Sequence, residues 1–180
     1  VHAFALTARE TGFGAELTAP FFESMRTDLS QKQHDPASFE RYVYGSAEVV
    51  GLMCLRAFVL GETIADLPRL EEGARALGAA FQKVNFLRDL AADFETLGRS
   101  YFPAIDVETF TEEEKLRLLD DIDADLAVSA ATVPALPASS RRAVALAQSL
   151  FTELAVRLRS PAVIGELLAG FRLELRRQAN

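Results

Sequence analysis

Apolar residues recur along the chain at steps of three and four, and Ala, Leu, Glu and Arg fill most positions between them. That period fits helices with one buried stripe each, and runs of alternating β-branched residues are almost absent. Prolines and glycines divide the pattern into segments. Gly12 and Gly14 end a first short helix, and Pro20 opens a second that reaches Asp28 and Leu29. Asp35-Pro36 with Ser38 reads as a turn and cap before a long helix from about Phe39 to Leu60. Asp66-Leu67-Pro68 opens another, from about Arg69 to Glu95, which Gly98 stops. Thr111 followed by Glu112, Glu113 and Glu114 marks a helix start, with acids at the positive end of the dipole, and that helix runs to about Ala131. Pro137 with Ser139 and Ser140 precedes a helix ending before Ser160-Pro161. A last one runs to about Arg177, where Arg172, Arg176 and Arg177 suit a helix C-terminus. The pattern predicts one all-α domain over residues 1–180, of about seven helices and without an internal repeat.

Composition narrows the class. A chain of 180 residues can bury a proper core, and 49% apolar residues argue against disorder. Lys and Arg number 19 against 26 Asp and Glu, a net charge of −7, which disfavours a broad nucleic-acid surface. Cys54 is the only cysteine, so an intrachain disulfide framework and a Cys-rich zinc site are excluded. Lying among Leu52, Met53 and Leu55, it is expected to be a small buried residue. No stretch approaches the ~20 apolar residues of a membrane span, and no signal peptide is visible at the start. The expected location is therefore cytoplasmic. The first residues, Val1 to Leu6, already lie in a helical pattern and no Met precedes them, so the chain is expected to continue upstream.

One segment carries candidate chemistry. Asn85, Asp89 and Asp93 are spaced by four, and Gln82 precedes them by three. On a helix these line one face, drifting ~40° and rising ~6 Å per step. Phe81, Val84, Leu87 and Leu90 occupy the other face. Oxygen donors with no His or Cys nearby suit a hard cation such as Mg²⁺, which takes a few carboxylates and completes its shell with water and substrate phosphates. Such a face would hold a diphosphate through metal bridges, with Arg88, Arg99 and Lys83 neutralising the remaining charge. The same spacing also fits a solvated face. Asp121 and Asp125 repeat it among further acids with no amide partner, and there the solvated reading is preferred.

Gly45, Ser46, Ala47 and Gly51 are small residues inside a predicted helix, where Gly costs ~1 kcal/mol relative to Ala. Close helix–helix packing explains them better than a wall for a long apolar ligand. Gly12-x-Gly14 lacks the preceding strand and third glycine of a nucleotide loop. His2 and His34 are isolated and receive no role. No serine has the partners of a nucleophilic triad.

Gln82-x-x-Asn85-x-x-Arg88-Asp89-x-x-x-Asp93 followed by Gly98-Arg99-x-Tyr101-x-Pro103 resembles the second aspartate-rich region of the squalene/phytoene synthase family. Tyr42-x-Tyr44 leading to Val50-Gly51 is similar to the family's upstream helix motif, and Met25-Arg26-Thr27-Asp28-Leu29 to the stretch before it. The resemblance covers roughly Phe4 to Pro103 and continues more weakly to about Arg159. It implies an all-α terpenoid-synthase fold, a helical bundle with a central cavity. It implies head-to-head condensation of two prenyl diphosphates through a cyclopropyl intermediate, with ionisation assisted by Mg²⁺, or Mn²⁺ in its place. By resemblance the metal positions are Asn85, Asp89 and Asp93. The substrate positions are Tyr42, Val50, Gly51, Gln82, Asn85, Arg88, Arg99 and Tyr101, and the catalytic ones Asp89, Asp93, Arg88 and Tyr101. The wording around Tyr42 to Leu55 is most like bacterial phytoene synthases, which implies two geranylgeranyl diphosphates, carotenoid synthesis and no NADPH.

Three departures accompany the resemblance. Glu48 stands where many members have Gly, Phe151 where Tyr is common, and Ala162 to Asn180 does not match the family's basic tail. The first aspartate-rich motif is absent, and the family carries it on about a hundred upstream residues, so the chain is expected to be the C-terminal part of a longer domain, lacking the N-terminal helices. The alternatives are a C15-using squalene or dehydrosqualene synthase, a non-catalytic relative acting in assembly, and a helical lipid-binding module. A greasy substrate is compatible with peripheral membrane contact, but no basic amphipathic helix marks one.

Overall fold

The computed structural model describes residues 1–161, and its regular structure there is helical, apart from one isolated bridge between Gln33 and Ser100. The predicted helix to Arg177 lies outside the described residues. Helix α1 (His2–Thr11) ends at Gly12, whose φ of 76° is left-handed and whose N–H donates to the Ala8 carbonyl. Helix α2 (Ala15–Thr27) contains Pro20 instead of starting there, and it stops short of Asp28 and Leu29. Its entry is set five residues earlier, where the Gly14 N–H donates to Glu16 Oε1 at 2.8 Å.

The cap at Asp35 forms as predicted: Oδ1 accepts from the Ser38 N–H at 2.7 Å, with Pro36 in the first turn. The long helix behind it is divided. Helix α3 (Pro36–Val43) passes through a π-helical turn, Tyr44–Glu48, into α4 (Val49–Phe58). Gly45 in that turn lies against α2 so closely that a Cβ would sit 2.4 Å from the Pro20 carbonyl oxygen.

Helix α5 (Leu67–Arg88) starts at the Asp66 cap, where Oδ1 accepts from the Arg69 N–H at 3.1 Å. It ends at Asp89, and α6 (Leu90–Leu97) follows at once, stopped by the left-handed Gly98. Helix α7 (Glu112–Ala130) opens with a complete capping box between Thr111 and Glu114, and α8 (Ala138–Leu158) runs back along it. Ala80, Val84 and Leu87 of α5, Leu119 and Ile122 of α7, and Ala155 of α8 form the centre of the core. Each large apolar side chain there contributes about 1.5–3 kcal/mol by leaving water.

Two lysines tie this layer together. Lys115, wholly buried, donates to the Ser160 carbonyl and pairs with Glu112, joining the start of α7 to the end of α8. Lys83 on α5 meets Asp121 Oδ2 at 2.6 Å and Asp125 Oδ2 at 2.8 Å on α7. The Asp121/Asp125 pair is thus a clamp across the α5–α7 contact and not merely a solvated face, and Lys83 is committed to it and not to the Asp89 end. Burial opposes the Lys83 charge, but the two carboxylates outweigh it and hold its pKa above the usual 10.5. A raised lysine pKa adds stability below about pH 10.5, and that stability is lost as pH rises through the folded value. Lys83→Met leaves two carboxylates facing each other and is expected to cost about 1–2 kcal/mol at pH 7 in urea unfolding, a difference that shrinks as the lysine loses its charge at high pH.

Helices α4 and α5 touch backbone to backbone. A Cβ on Gly51 would lie 2.2 Å from the Ala74 carbonyl oxygen, and one on Gly78 would lie 2.5 Å from that of Ala47. Close packing therefore accounts for the small residues. The contact separates two spaces. On one side is an apolar cavity of about 460 Å³, walled by α4, α5, α8 and the α7–α8 turn. On the other is a polar groove of about 650 Å³ lined by Glu16, Glu48, Arg56, Glu71, Arg75 and Asp125. Glu48 thus faces away from the apolar cavity, paired with Arg75 at 2.7 Å. Cys54 is exposed at the cavity rim and not buried, because α4 turns Leu55 to the core instead. Among the described residues no helix is long and apolar enough to cross a membrane.

Candidate functional site

The predicted polar stripe does not lie on one straight helix. Asp89 has φ −96° and ψ 6°, in the sparsely populated bridge region where active-site residues are often found. Four-residue register survives the interruption: the Asp89 N–H donates to the Asn85 carbonyl at 2.9 Å, and the Asp93 N–H to the Asp89 carbonyl at 2.8 Å. Asn85, Asp89 and Asp93 therefore remain successive steps on one side, all half-buried.

Around them the charges are arranged in a chain. Arg88 donates from both Nε and Nη2 to the Asp89 carboxylate, at 2.8 and 2.6 Å. Burial first, and the neighbouring Asp89 charge second, push the Asp93 carboxyl above the usual carboxylate range, while Arg99 and Arg88 pull it down. The Arg99 N–H donates to the Asp93 carbonyl at 3.3 Å. The Arg99 side chain reaches the other way, donating to Tyr101 Oη at 3.3 Å and to the Asp28 carbonyl, with the Asp28 carboxylate at 3.8 Å. Tyr42 Oη donates to Asp28 Oδ1 at 2.8 Å. Burial, reinforced by that carboxylate, raises the Tyr42 phenol far above its ordinary value, so it stays a donor. Phe86 of α5 stacks on Tyr101 with ring centroids 4.0 Å apart.

Val50, Gly51 and Gln82 lie elsewhere: they line the apolar cavity, with Phe81, Val133 and Val144. Phe151 stacks on Phe81 with centroids 3.6 Å apart, closing α8 against α5. The two regions are joined along α5. Gly78, Gln82, Asn85 and Asp89 follow one another at steps of three or four, about 16 Å from first to last at 1.5 Å per residue. A ligand lying along this face would have an apolar part at Gly78 and Gln82 and a polar part at Asp89.

All the predicted site residues thus fall either in the polar end (Tyr42, Asn85, Arg88, Asp89, Asp93, Arg99, Tyr101) or in the cavity wall (Val50, Gly51, Gln82). Two residues of the polar end have no role in the sequence reading. Asp28 follows α2 and receives both Tyr42 and Arg99; the Met-x-x-Asp-Leu stretch was its only signal. His34 is buried against the site tyrosines, with centroids 5.0 Å from Tyr42 and 6.0 Å from Tyr101. Neither is within helical reach of the stripe. They arrive because the segment after α2 bridges to Ser100, whose N–H donates to the Lys32 carbonyl at 3.0 Å.

The donor set fits a magnesium ion shared with a phosphate ligand. Two carboxylates and an amide offer only oxygen, and the mutual repulsion at Asp93 is what a cation would relieve. Among the described residues no group of three or more His, Cys, Asp or Glu could hold a metal alone.

Comparison with known proteins gives a family and a fold. Residues 1–162 match the family model described as squalene/phytoene synthase. The 15-cis-phytoene synthase of Enterobacter agglomerans is 32% identical over 133 residues, which cover 66% of this chain and 43% of the relative. The phytoene synthase of Pseudescherichia vulneris is 28% identical over 176 residues, covering 88% of this chain and 54% of the relative. The chain spans about half or less of the length of the curated relatives it matches. In three dimensions it is similar to squalene synthase HpnC from Alicyclobacillus acidocaldarius, with a TM-score of 0.74 at 21% identity, over 88% of this chain and 64% of that one. The two chains therefore share one helical fold.

Proposed function

Because this chain belongs to the squalene/phytoene synthase family, we propose that its protein joins two prenyl diphosphates head to head, two geranylgeranyl diphosphates giving phytoene through a cyclopropyl diphosphate. One observation supports this above the others: the face of α5 that starts in an apolar cavity and ends among Asn85, Asp89, Asp93 and two arginines. A prenyl diphosphate has that same division, a long hydrocarbon with a charged head.

On this reading Asn85, Asp89 and Asp93 hold Mg²⁺, which when bound neutralises charge gathering on the departing diphosphate. Arg88 and Arg99 bring fixed positive charge to the same oxygens, and Tyr101 adds a hydroxyl donor beside Arg99. Tyr42, whose hydroxyl donates to Asp28 Oδ1, keeps the wall of that end in place. Val50, Gly51, Phe81 and Gln82 enclose the hydrocarbon and keep water from the allylic cation. The protein works in the cytoplasm and draws its substrate from a membrane surface, where prenyl chains dissolve. Rearrangement without reduction requires no NADPH.

The test is product analysis with the intact protein, Mg²⁺ and either C15 or C20 prenyl diphosphate. Phytoene from the C20 substrate, formed without NADPH and lost on chelation, is the expected result. Turnover of the C15 substrate alone would move the assignment to the squalene or dehydrosqualene type. Absence of any condensed product from both would defeat it.

A further inference from the structure

We propose that His34 is a positioning residue for the diphosphate end of the site, its imidazole seating Tyr42 and Tyr101 so that the Arg99 guanidinium is held in place against Asp28. This rests on the functional reading above. His34 belongs to no helix. It is carried by the segment between α2 and α3, which docks through the Gln33–Ser100 bridge, and it is 8% exposed. Its ring lies within 5.0 Å of the Tyr42 ring and stacks at 18° on that of Tyr101. Those two rings in turn lie 5.4 Å apart, and Phe86 backs both, so four aromatic rings form one box.

The box fixes the polar atoms at its rim. Tyr101 Oη receives Arg99 Nη1, Tyr42 Oη is bound to Asp28, and Asp28 also holds Arg99. Removing the imidazole frees both tyrosine rings to tilt, and Arg99 then loses the hydroxyl that orients it. Phe39 and Phe102 pack on Phe86.

The ring's burial and its contact with Gln31 favour its neutral form. Gln31 Nε2 lies 3.2 Å from His34 Nδ1, with the Gln33 carbonyl and Ser38 Oγ as its other partners; where the amide donates to the ring, Nδ1 accepts and the imidazole proton is on Nε2. Protonating Nδ1 would set two donors against each other. The groups facing the ring are Asp28 from the end of α2, Asp35 at the cap of α3, Tyr42 on α3, and Tyr101 with its partner Arg99 after α6. Burial lowers the imidazole pKa below its ordinary value, although the Ser38 backbone and the carboxylates of Asp28 and Asp35 oppose that. At neutral pH the seat is therefore in its binding form, and it fails as pH falls from about 6.5 through the lower folded value.

The experiment measures two quantities on the intact protein: calorimetric affinity for inorganic pyrophosphate with Mg²⁺, and KM and kcat with a prenyl diphosphate. His34→Ala is expected to weaken pyrophosphate binding and raise KM roughly tenfold, with kcat changed much less, the loss of two ring contacts. His34→Phe keeps the stack and is expected to restore affinity at pH 7.5, while losing the extra weakening that the wild type shows between pH 7 and pH 5. His34→Ala that folds with unchanged affinity overturns the proposal. So does His34→Phe that retains the wild-type acid limb, and so does a wild type that binds no pyrophosphate. A wild type that binds pyrophosphate but condenses nothing defeats the functional reading alone, and the alanine variant still decides on His34.

Discussion

Asp89→Ala in the intact protein is expected to lower kcat by about 10²–10³-fold, the range seen when one group aimed at developing charge is removed. Asp89 sits at the junction of α5 and α6, contributes one of only two carboxylates on the stripe, and positions Arg88 by a two-point contact. Its removal takes away a metal ligand and frees the arginine at once. Stability should change little, within about 0.5 kcal/mol, because the Arg88–Asp89 pair is largely exposed. Asp89→Asn separates the causes. It keeps the shape and an acceptor for Arg88 but loses the charge, and it is expected to be nearly as inactive. Asp125→Ala is the matched control, since Asp121 and Asp125 have the same four-residue spacing but clamp Lys83. That variant should lose stability and keep its turnover per folded molecule. Full activity in Asp89→Ala would remove the stripe from the mechanism.

The contrast between these two aspartate pairs shows how far the chain could be read in advance. Spacing alone does not separate them; the sequence reading rests on the amide at Asn85 and the apolar face around it. Helix starts were legible because capping is local: Asp35, Asp66 and Thr111 each bond a backbone N–H three residues on. The interruptions were not legible. Neither the π turn over Tyr44–Glu48 nor the bend at Asp89 breaks the three- and four-residue period, and the turn depends on how α2 presses on Gly45. Pro20 misled for a related reason, since Gly14 and Glu16 start the helix five residues before it. The same limit explains the site. Gln82 through Asp93 could be grouped because a helix repeats. Asp28 and His34 could not, because only the crossing of the segment after α2 with Ser100 brings them to Tyr42 and Arg99. The role of Glu48 likewise depended on which side of α4 meets α5.

That α4–α5 contact yields the second large effect. Gly51→Ala is expected to destabilise the protein by about 2 kcal/mol, although in an ordinary helix the same change would gain up to ~1 kcal/mol from propensity. The added methyl would meet the Ala74 carbonyl oxygen, 2.2 Å from the new carbon. A backbone atom inside α5 cannot rotate aside, so the two helices must separate, and the contacts of Val49 and Leu55 on the same helix loosen with them. Gly73→Ala meets Thr132 instead, whose Cβ would lie 2.7 Å away and cannot rotate aside, so the turn after α7 that carries it must shift and strain its hydrogen bond to the Ser129 carbonyl; a turn yields more readily than a helix, and a smaller loss of about 1 kcal/mol is expected there. For a domain of this size the Gly51 change corresponds to a fall of roughly 4–8 °C in Tm. It also reaches the chemistry, because the contact it opens is one wall of the apolar cavity. Water admitted there competes for the allylic cation, so the residual product should shift toward the prenyl alcohol. Calorimetry and product analysis on Gly51→Ala and Gly73→Ala together check the ranking. An unchanged or raised Tm in Gly51→Ala would mean that the two helices do not approach this closely, and that the small residues of α4 serve the cavity alone.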